Sequence, residues 1–188
     1  LSLCNKNFQK INNYSSKAKH DLLLDVCMAA KYEGESLEKY RAQYQQKYGD
    51  FGSTICTILA RSFADIGDII RGKDLYRGGG RGRKQLENKL KEIFTQIYEG
   101  LTTTNGKAAE ARYKDTKGDF FQLREDWWTA NRHTVWEAIT CSKELKDNRY
   151  FRATCGSSGE TPTPNKCRCP NGNNQVPTYF DYVPQFLR

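Results

Sequence analysis

Long apolar stretches are missing from this sequence. No run approaches the roughly 18 consecutive apolar residues that a membrane-spanning helix requires. The residues after Leu1 lack the basic and apolar regions of a signal peptide. We therefore expect neither a span nor a leader, and both ends are typical of a segment cut from a longer chain. With a mean hydropathy of −0.81, the apolar residues must be concentrated on a few helix faces, separated by long polar loops.

Histidine is also scarce, and the sequence offers no catalytic arrangement. The two histidines, His20 and His133, lie in separate helical patterns. The glycine-rich stretch GGGRGRK lacks the Lys-Ser/Thr ending of a phosphate-binding loop and follows no strand pattern. We therefore predict that the chain is not an enzyme and uses no cofactor.

The seven cysteines lack the spacing of a zinc site. The only close pair, Cys167 and Cys169, is separated by a single residue, and neither histidine lies near it in sequence. We therefore predict no metal site, and a framework of disulfides of the kind that forms in oxidising compartments. Because the number is odd, at least one cysteine pairs outside this segment or stays reduced.

Helical periodicity predicts an all-α fold, a disulfide-pinned bundle with long loops. Four helices form the predicted bundle: 16–33, 53–71, 83–101 and 119–141. Gly34 is expected to end the first helix and to separate it from another helix at 35–48. Residues 102–118 are expected to be a long loop, with one helical turn at 108–113.

The helix at 119–141, with Asp119 as its predicted N-cap, holds all three tryptophans and is apolar on more than one side. It should therefore run through the bundle. The predicted core contains Phe63, Ile66, Trp127, Trp128 and Trp136. The alternative is that the tryptophans are exposed and stack on a ligand.

Two patterns elsewhere leave a structural and a functional interpretation open. The stripe Leu37, Tyr40, Tyr44 and Tyr48 is expected to lie along the bundle, or else to form a platform for carbohydrate. The pair Asp65 and Asp68 could hold a metal or transfer protons, but we favour a structural role, in which one or both pair with Arg61 or Arg71 or cap a neighbouring helix.

A basic segment joins two of the predicted bundle helices. Residues 71–91 carry eight Lys or Arg residues against two acidic ones, so the segment holds +6 of the chain's net charge of +8. Such a concentration predicts a polyanionic partner. We predict a glycan-facing surface made by Arg71, Lys73, Arg77, Arg81, Arg83 and Lys84. The alternatives are a solvated charged face and a surface that neighbouring subdomains cover.

Four blocks of the sequence, taken together, resemble the Duffy-binding-like domains. In chain order the blocks are LLLDVCMAAKYEG (22–34), LARSFADIGDIIRGKDLY (59–76), REDWWTANRHTVWEAITC (124–141) and VPTYFDYVPQFLR (176–188). The resemblance covers nearly the whole chain. It is closest to the alpha class at the N-terminal head of the malaria parasite's variant erythrocyte membrane protein 1.

This resemblance implies a non-enzymatic adhesion module exported to the surface of the infected erythrocyte, acting in cytoadhesion and rosetting. The implied partners are a host cell-surface receptor such as complement receptor, a sulfated or blood-group glycan, the remaining subdomains of the same chain, and antibodies, with no nucleic acid. The implied division is the end of a first subdomain at 1–15, a helical second subdomain at 16–155, and a linker with the start of a third at 156–188. The alternative function, suggested by the Arg/Gly loop, is an intracellular RNA-binding helical protein.

Two disulfides are predicted within the chain. Cys27 and Cys141 both lie on inner faces of predicted core helices, so a bond between them could tie the bundle. The pattern of the family suggests a second bond between Cys56 and Cys155. The other cysteines are expected to pair elsewhere: Cys4 with a residue upstream of Leu1, and Cys167 and Cys169 within the third subdomain.

Overall fold

Four α-helices make up most of the computed structural model, which describes residues 17–48, 54–75, 81–170 and 174–188, without the side chains of 17, 18, 48 and 81–83. The helices are α1 (Lys17–Tyr48), α2 (Ile55–Arg71), α3 (Arg81–Tyr113) and α4 (Phe121–Ile139), and two 3-10 turns follow at Phe180–Tyr182 and Gln185–Leu187. α4 packs against all three other helices. The described residues contain two isolated β-bridges and no strand, so the all-α prediction is confirmed.

The centre of the bundle is an aromatic cluster contributed by α2 and α4. Trp127, Trp128 and Trp136 are all buried, as is Phe63. The ring centroid of Phe63 lies 5.1 Å from that of Trp128 and 5.2 Å from that of Trp136. Ile66 is partly buried against this cluster. The predicted core is therefore found, and the alternative of tryptophans exposed for a ligand is wrong.

Gly34 does not end a helix, contrary to the prediction. α1 continues through it for fourteen more residues, to Tyr48. A Cβ atom at Gly34 would lie 2.3 Å from the carbonyl oxygen of Ile139, near the C-terminal end of α4. Glycine at this position therefore allows α1 and α4 to approach closely, and this advantage outweighs its poor helix propensity of about 1 kcal/mol.

α3 is longer than predicted and includes most of the expected loop at 102–118. The hydroxyl groups of Thr103 and Thr104 donate to carbonyl oxygens one turn back, at Glu99 and Gly100. These bonds satisfy the threonine side chains within a helix, although threonine has only a moderate helix propensity. The helix is broken at Gly106, whose backbone angles are φ 52° and ψ −131°.

The start of α4 also differs from the prediction that Asp119 caps it. The N-cap position is Phe120, which has a left-handed backbone (φ 50°) and no side-chain capping bond. The Asp119 carboxylate instead lies 2.6 Å from the ammonium group of Lys91 on α3. A charge partner on a neighbouring helix has taken the side chain that the sequence pattern assigned to the helix end.

Candidate functional site

The C-terminal end of α2, where the basic segment begins, is fixed by one buried arginine of α4. The guanidinium of Arg124 donates to the carbonyl oxygens of Ile69 (3.0 Å) and Ile70 (2.5 Å). It also holds both carboxylate oxygens of Glu87 on α3, at 2.7 and 3.1 Å. Arg124 thereby satisfies carbonyl groups that a helix end leaves unpaired, and it ties three helices together.

Arg71, the first residue of the predicted glycan surface, is an internal residue. Only 2% of it is exposed. Its guanidinium donates to the carbonyl oxygens of Gly67 and Asp181 and lies 2.9 Å from the carboxylate of Asp68. The prediction that Arg71 contacts glycan is therefore wrong, because its guanidinium is buried and bound to groups inside the protein. The favoured prediction that Asp68 pairs with an arginine is confirmed.

Asp181 connects the C-terminal segment 174–188 to α4. Its carboxylate accepts from the indole nitrogen of Trp128 at 2.9 Å and from the guanidinium of Arg132 at 2.7 Å, and only 2% of the residue is exposed. Arg132 also donates to the carbonyl oxygen of Thr178. A second contact links Arg188 to the Asp68 carboxylate. The segment is thus held by buried ion pairs rather than by apolar packing alone.

The change Asp181→Asn is expected to loosen this segment. It removes the negative charge opposite Arg132 and replaces one of the two acceptor oxygens by an amide NH₂ group, so charge-assisted hydrogen bonds worth about 1.5–3 kcal/mol each are lost or weakened. Amide hydrogen exchange should accelerate at residues 178–187 while the protection of α2 and α4 remains. Equal acceleration across the four helices would mean that the segment unfolds only together with the bundle, which would contradict the expectation that it loosens on its own.

A groove lies between the turn after α2 and the C-terminal segment. It has a volume of about 580 Å³ and is lined by residues 72–75 on one side and 181–186 on the other. The side-chain oxygen of Gln185 accepts a hydrogen bond from the backbone of Leu75 and so joins the two sides. Large apolar side chains are exposed at its rim, including Leu75 (62%) and Phe186 (71%).

The other cations of the basic segment differ in their surroundings. Lys73 is exposed and pairs with Glu125 of α4. Lys84 and Lys89 are exposed on α3, and Lys91 is the partner of Asp119. Three arginines of the predicted glycan surface remain. Arg77 lies outside the described residues. Arg81 and Arg83 are in the first turn of α3, but their side chains are not among those described.

Two disulfides pin the chain after α4, with pairings that correct the predictions. Cys56 on α2 bonds to Cys167, and Cys155 bonds to Cys169. The predicted Cys56–Cys155 bond is therefore wrong. The assignment of Cys167 and Cys169 to pairs within the third subdomain is also wrong, because their partners Cys56 and Cys155 lie in the range 16–155. The physical reason is that the chain around Cys167 folds back onto the bundle. There the carbonyl oxygen of Cys167 accepts a hydrogen bond from the indole nitrogen of Trp136 at 3.1 Å. Such bonds persist in oxidising compartments and disfavour the intracellular alternative.

The predicted bond between Cys27 and Cys141 is also absent from the structure. Both residues are half-buried. Facing the same interface is not enough, because a disulfide needs β-carbons only about 4 Å apart. Burial, and to a lesser extent the neighbouring Glu137 carboxylate, raise the pKa of the Cys27 thiol to about 11. Cys4 lies outside the described residues.

Arg168 lies between Cys167 and Cys169, which form the two separate disulfides, and it caps the C-terminal end of α4. Its guanidinium donates to the carbonyl oxygen of Thr140 at 2.9 Å and to its hydroxyl oxygen at 2.7 Å. A further bond of 2.5 Å reaches the carbonyl oxygen of Glu137. The Cys-Arg-Cys spacing thus serves to place a cation at the negative end of a helix.

The tyrosine stripe on α1 is only partly packed. Leu37 lies against the core, whereas 65% of Tyr40 is exposed and its ring centroid lies 6.3 Å from that of Tyr44. The side chain of Tyr48 lies outside the description. The carbohydrate platform therefore stays an open prediction.

Among the described residues, no helix is long and apolar enough to cross a membrane.

Comparison with known proteins gives one consistent result. The family model described as Duffy binding domain matches residues 1–188. A crystal structure of the NTS-DBL1(alpha-1) domain of the Plasmodium falciparum membrane protein 1 (PfEMP1), varO strain, is 38% identical with a TM-score of 0.69. The match covers 98% of this chain and 39% of the solved one, so the chain spans about two fifths of that relative. No curated protein matches the chain.

Proposed function

The chain belongs to the Duffy binding domain family, and from this premise we propose that it is a non-enzymatic host-receptor adhesion module of a parasite surface antigen. The receptor end of the proposal is an acidic glycan, sulfated or sialylated, on the red cell or endothelium. Rosetting and cytoadhesion are the cellular outcomes it would serve. The module would act as an extracellular part of a longer membrane protein on the infected erythrocyte.

The observation that carries the glycan proposal is the separation of the basic segment into inner and outer charges. Within the segment, Arg71 is buried and paired with Asp68, and the acidic Glu87 is paired with Arg124 of α4. Lys84 and Lys89 point outward, on the part of α3 that Arg124 anchors to the bundle. A helix fixed in this way, with exposed cations, is a suitable platform for a polyanion, because little additional ordering of the backbone is required on binding.

The arginines of the segment add geometric fit to this charge. Arg77, Arg81 and Arg83 have planar guanidinium groups that can bind an oxyanion through two parallel hydrogen bonds, as they do with phosphate. The three glycines at 78–80 place no side chains between these cations. A backbone without Cβ atoms allows a polyanion to approach closely.

The groove beside the segment supports the second part of the proposal, contact with the remaining subdomains of the same chain. Its rim exposes the large apolar side chains Leu75, Tyr182 and Phe186. A group of exposed apolar side chains is typical of a contact with another protein surface rather than with an acidic glycan. Lys73 lines the same groove, whereas Lys84 and Lys89 of α3 do not, so a subdomain seated in the groove would cover Lys73 but need not cover the other two cations.

The test is the triple variant Arg81→Glu, Arg83→Glu and Lys84→Glu, measured on immobilised heparin after its helical content is checked by circular dichroism. Each cation near an anionic surface contributes roughly 1 kcal/mol, so reversal of three should weaken binding about 100-fold or more. The matched control is Lys143→Glu, Lys146→Glu and Arg149→Glu, three exposed cations after α4. If both variants lose affinity equally, net charge rather than the basic segment determines binding.

A further inference from the structure

The break in α3 lies at Gly106, which has a positive φ and directly follows an asparagine, Asn105. Asn105 and Gly106 are both exposed. Gly106 has a φ of 52° and a ψ of −131°, so the helical hydrogen-bond ladder cannot continue regularly across it. Apart from the adjacent residues and the nearby backbone of the same helix, no described atom lies within 4 Å of the place where a Cβ of Gly106 would be. The peptide bond between the two residues is therefore sterically open from the side.

The side chain of Asn105 has no hydrogen-bond partner in the described part of the chain, unlike those of two other asparagines. The amide of Asn131 donates to the carbonyl oxygen of Trp127 at 2.7 Å. The amide of Asn148 donates to the carbonyl oxygen of Lys146 at 3.3 Å. Residues before the break do not hold Asn105 either, since the hydroxyls of Thr103 and Thr104 are used on their own helix.

We propose that Asn105 is a site of spontaneous deamidation, converted to aspartate and isoaspartate through a cyclic imide with Gly106. The backbone nitrogen of Gly106 loses its proton and attacks the side-chain carbonyl carbon of Asn105. The new C–N bond closes a five-membered ring, and the side-chain nitrogen leaves as ammonia with the released proton. Water then opens the ring at either carbonyl, which gives the two acidic products.

Glycine is the residue after asparagine that favours this reaction most, because a β-carbon on the attacking residue would crowd the forming ring. The helical geometry of an intact α3 would oppose it by keeping nitrogen and side chain in place. The regular helix is interrupted directly after Asn105, at Gly106, and residues next to such an interruption fray as helix ends do. Local opening therefore supplies the required geometry without unfolding the bundle.

The products have two physical consequences. Each adds one negative charge to a chain whose net charge is +8. Isoaspartate also lengthens the backbone by one carbon at the point that connects the main part of α3 to residues 107–113. That short part is attached to α4 through Arg112 and Tyr113, which both bind the carboxylate of Asp126 (2.7 and 2.8 Å).

The experiment is incubation of the folded protein at body temperature, followed by ion-exchange separation and peptide mapping by mass spectrometry. We expect an acidic form to accumulate and the mass change of NH₂ to OH to map to Asn105 ahead of Asn88, Asn131 and Asn148. Asn105→Asp supplies the charge standard, and Asn105→Gln should abolish that acidic form. Asn171, which also precedes a glycine, is resolved as a separate peptide.

Two results would overturn the proposal. One is an Asn105 peptide that remains unmodified while Asn88, in the same helix, is converted. The other is an acidic form that accumulates equally in the Asn105→Gln protein and leaves the Asn105 peptide unchanged in the parent. Heparin affinity serves as an independent readout: Asn105 lies 21 residues beyond Lys84 on α3, about 30 Å at 1.5 Å per residue, so the proposed glycan surface stays unaffected.

Discussion

Removal of the Cys56–Cys167 disulfide by the double change to alanine is expected to lower the free energy of unfolding more than removal of Cys155–Cys169. The first bond closes a loop of 111 residues and the second a loop of 14. In the chain-entropy model these loops contribute about 5 and about 3 kcal/mol, respectively, by restricting the unfolded chain. Denaturant unfolding of both double variants measures the difference directly.

The position of Cys167 strengthens this expectation. The residue is completely buried, its amide donates to the carbonyl oxygen of Asn148 at 2.9 Å, and its own carbonyl accepts from Trp136. Both bonds are part of the native state that the disulfide secures. If loss of the short Cys155–Cys169 loop destabilises the protein as much as loss of the long one, the ordering would contradict the pairing described here.

The change Trp128→Ala is expected to cost about 3–5 kcal/mol, the range for large aromatic side chains in cores. Trp128 is completely buried, its ring lies 2.7 Å from the place where a Cβ of Gly67 would be, and its nitrogen donates to Asp181. The cavity cannot close readily, because α2 and α4 are held together by Arg124 and by the Cys56–Cys167 hairpin.

A matched pair of substitutions separates the hydrogen bond of Trp128 from its packing. Trp127 is equally an α4 core residue, but its indole nitrogen is buried without a partner among the described residues. Trp127→Phe and Trp128→Phe remove the same atoms, yet only the second leaves Asp181 short of a donor, a penalty of about 1–3 kcal/mol. Equal losses for the two variants would show that the Trp128–Asp181 bond adds nothing to stability.

The sequence predicts the helices of the bundle well where the apolar period is strong, and poorly where glycine has a packing role. α2 and α4 follow their predicted ranges to within two residues. Gly34 was expected to end a helix, but it instead makes room for the carbonyl of Ile139. Propensity describes the isolated chain, and only the neighbouring helix decides whether the missing Cβ is a defect or a requirement.

The roles of the arginines were the least predictable part of the site. Arg71, Arg124 and Arg168 each bind carbonyl groups near the end of a helix, two of them on a different element of the chain. Sequence spacing does not show which helix end lies beside which side chain. The sequence therefore predicts Arg71 as part of the exposed basic surface, although the residue is buried. The sequence does contain one signal: Arg71 is the last residue of an apolar helix and precedes Gly72, the C-cap. A cation in the last turn of a helix interacts favourably with the helix dipole.

The most direct test of the proposed adhesion surface is the salt dependence of heparin binding. If about four cations of the segment contact the polyanion, the logarithm of the affinity should fall with the logarithm of salt with a slope near −3 to −4, by analogy with nucleic acids. The Arg81→Glu, Arg83→Glu, Lys84→Glu protein should reduce the magnitude of that slope by about 2–3, whereas the control variant at 143–149 should preserve it. A folded triple variant with the parent's slope and affinity would contradict the account and place the glycan contact outside this segment.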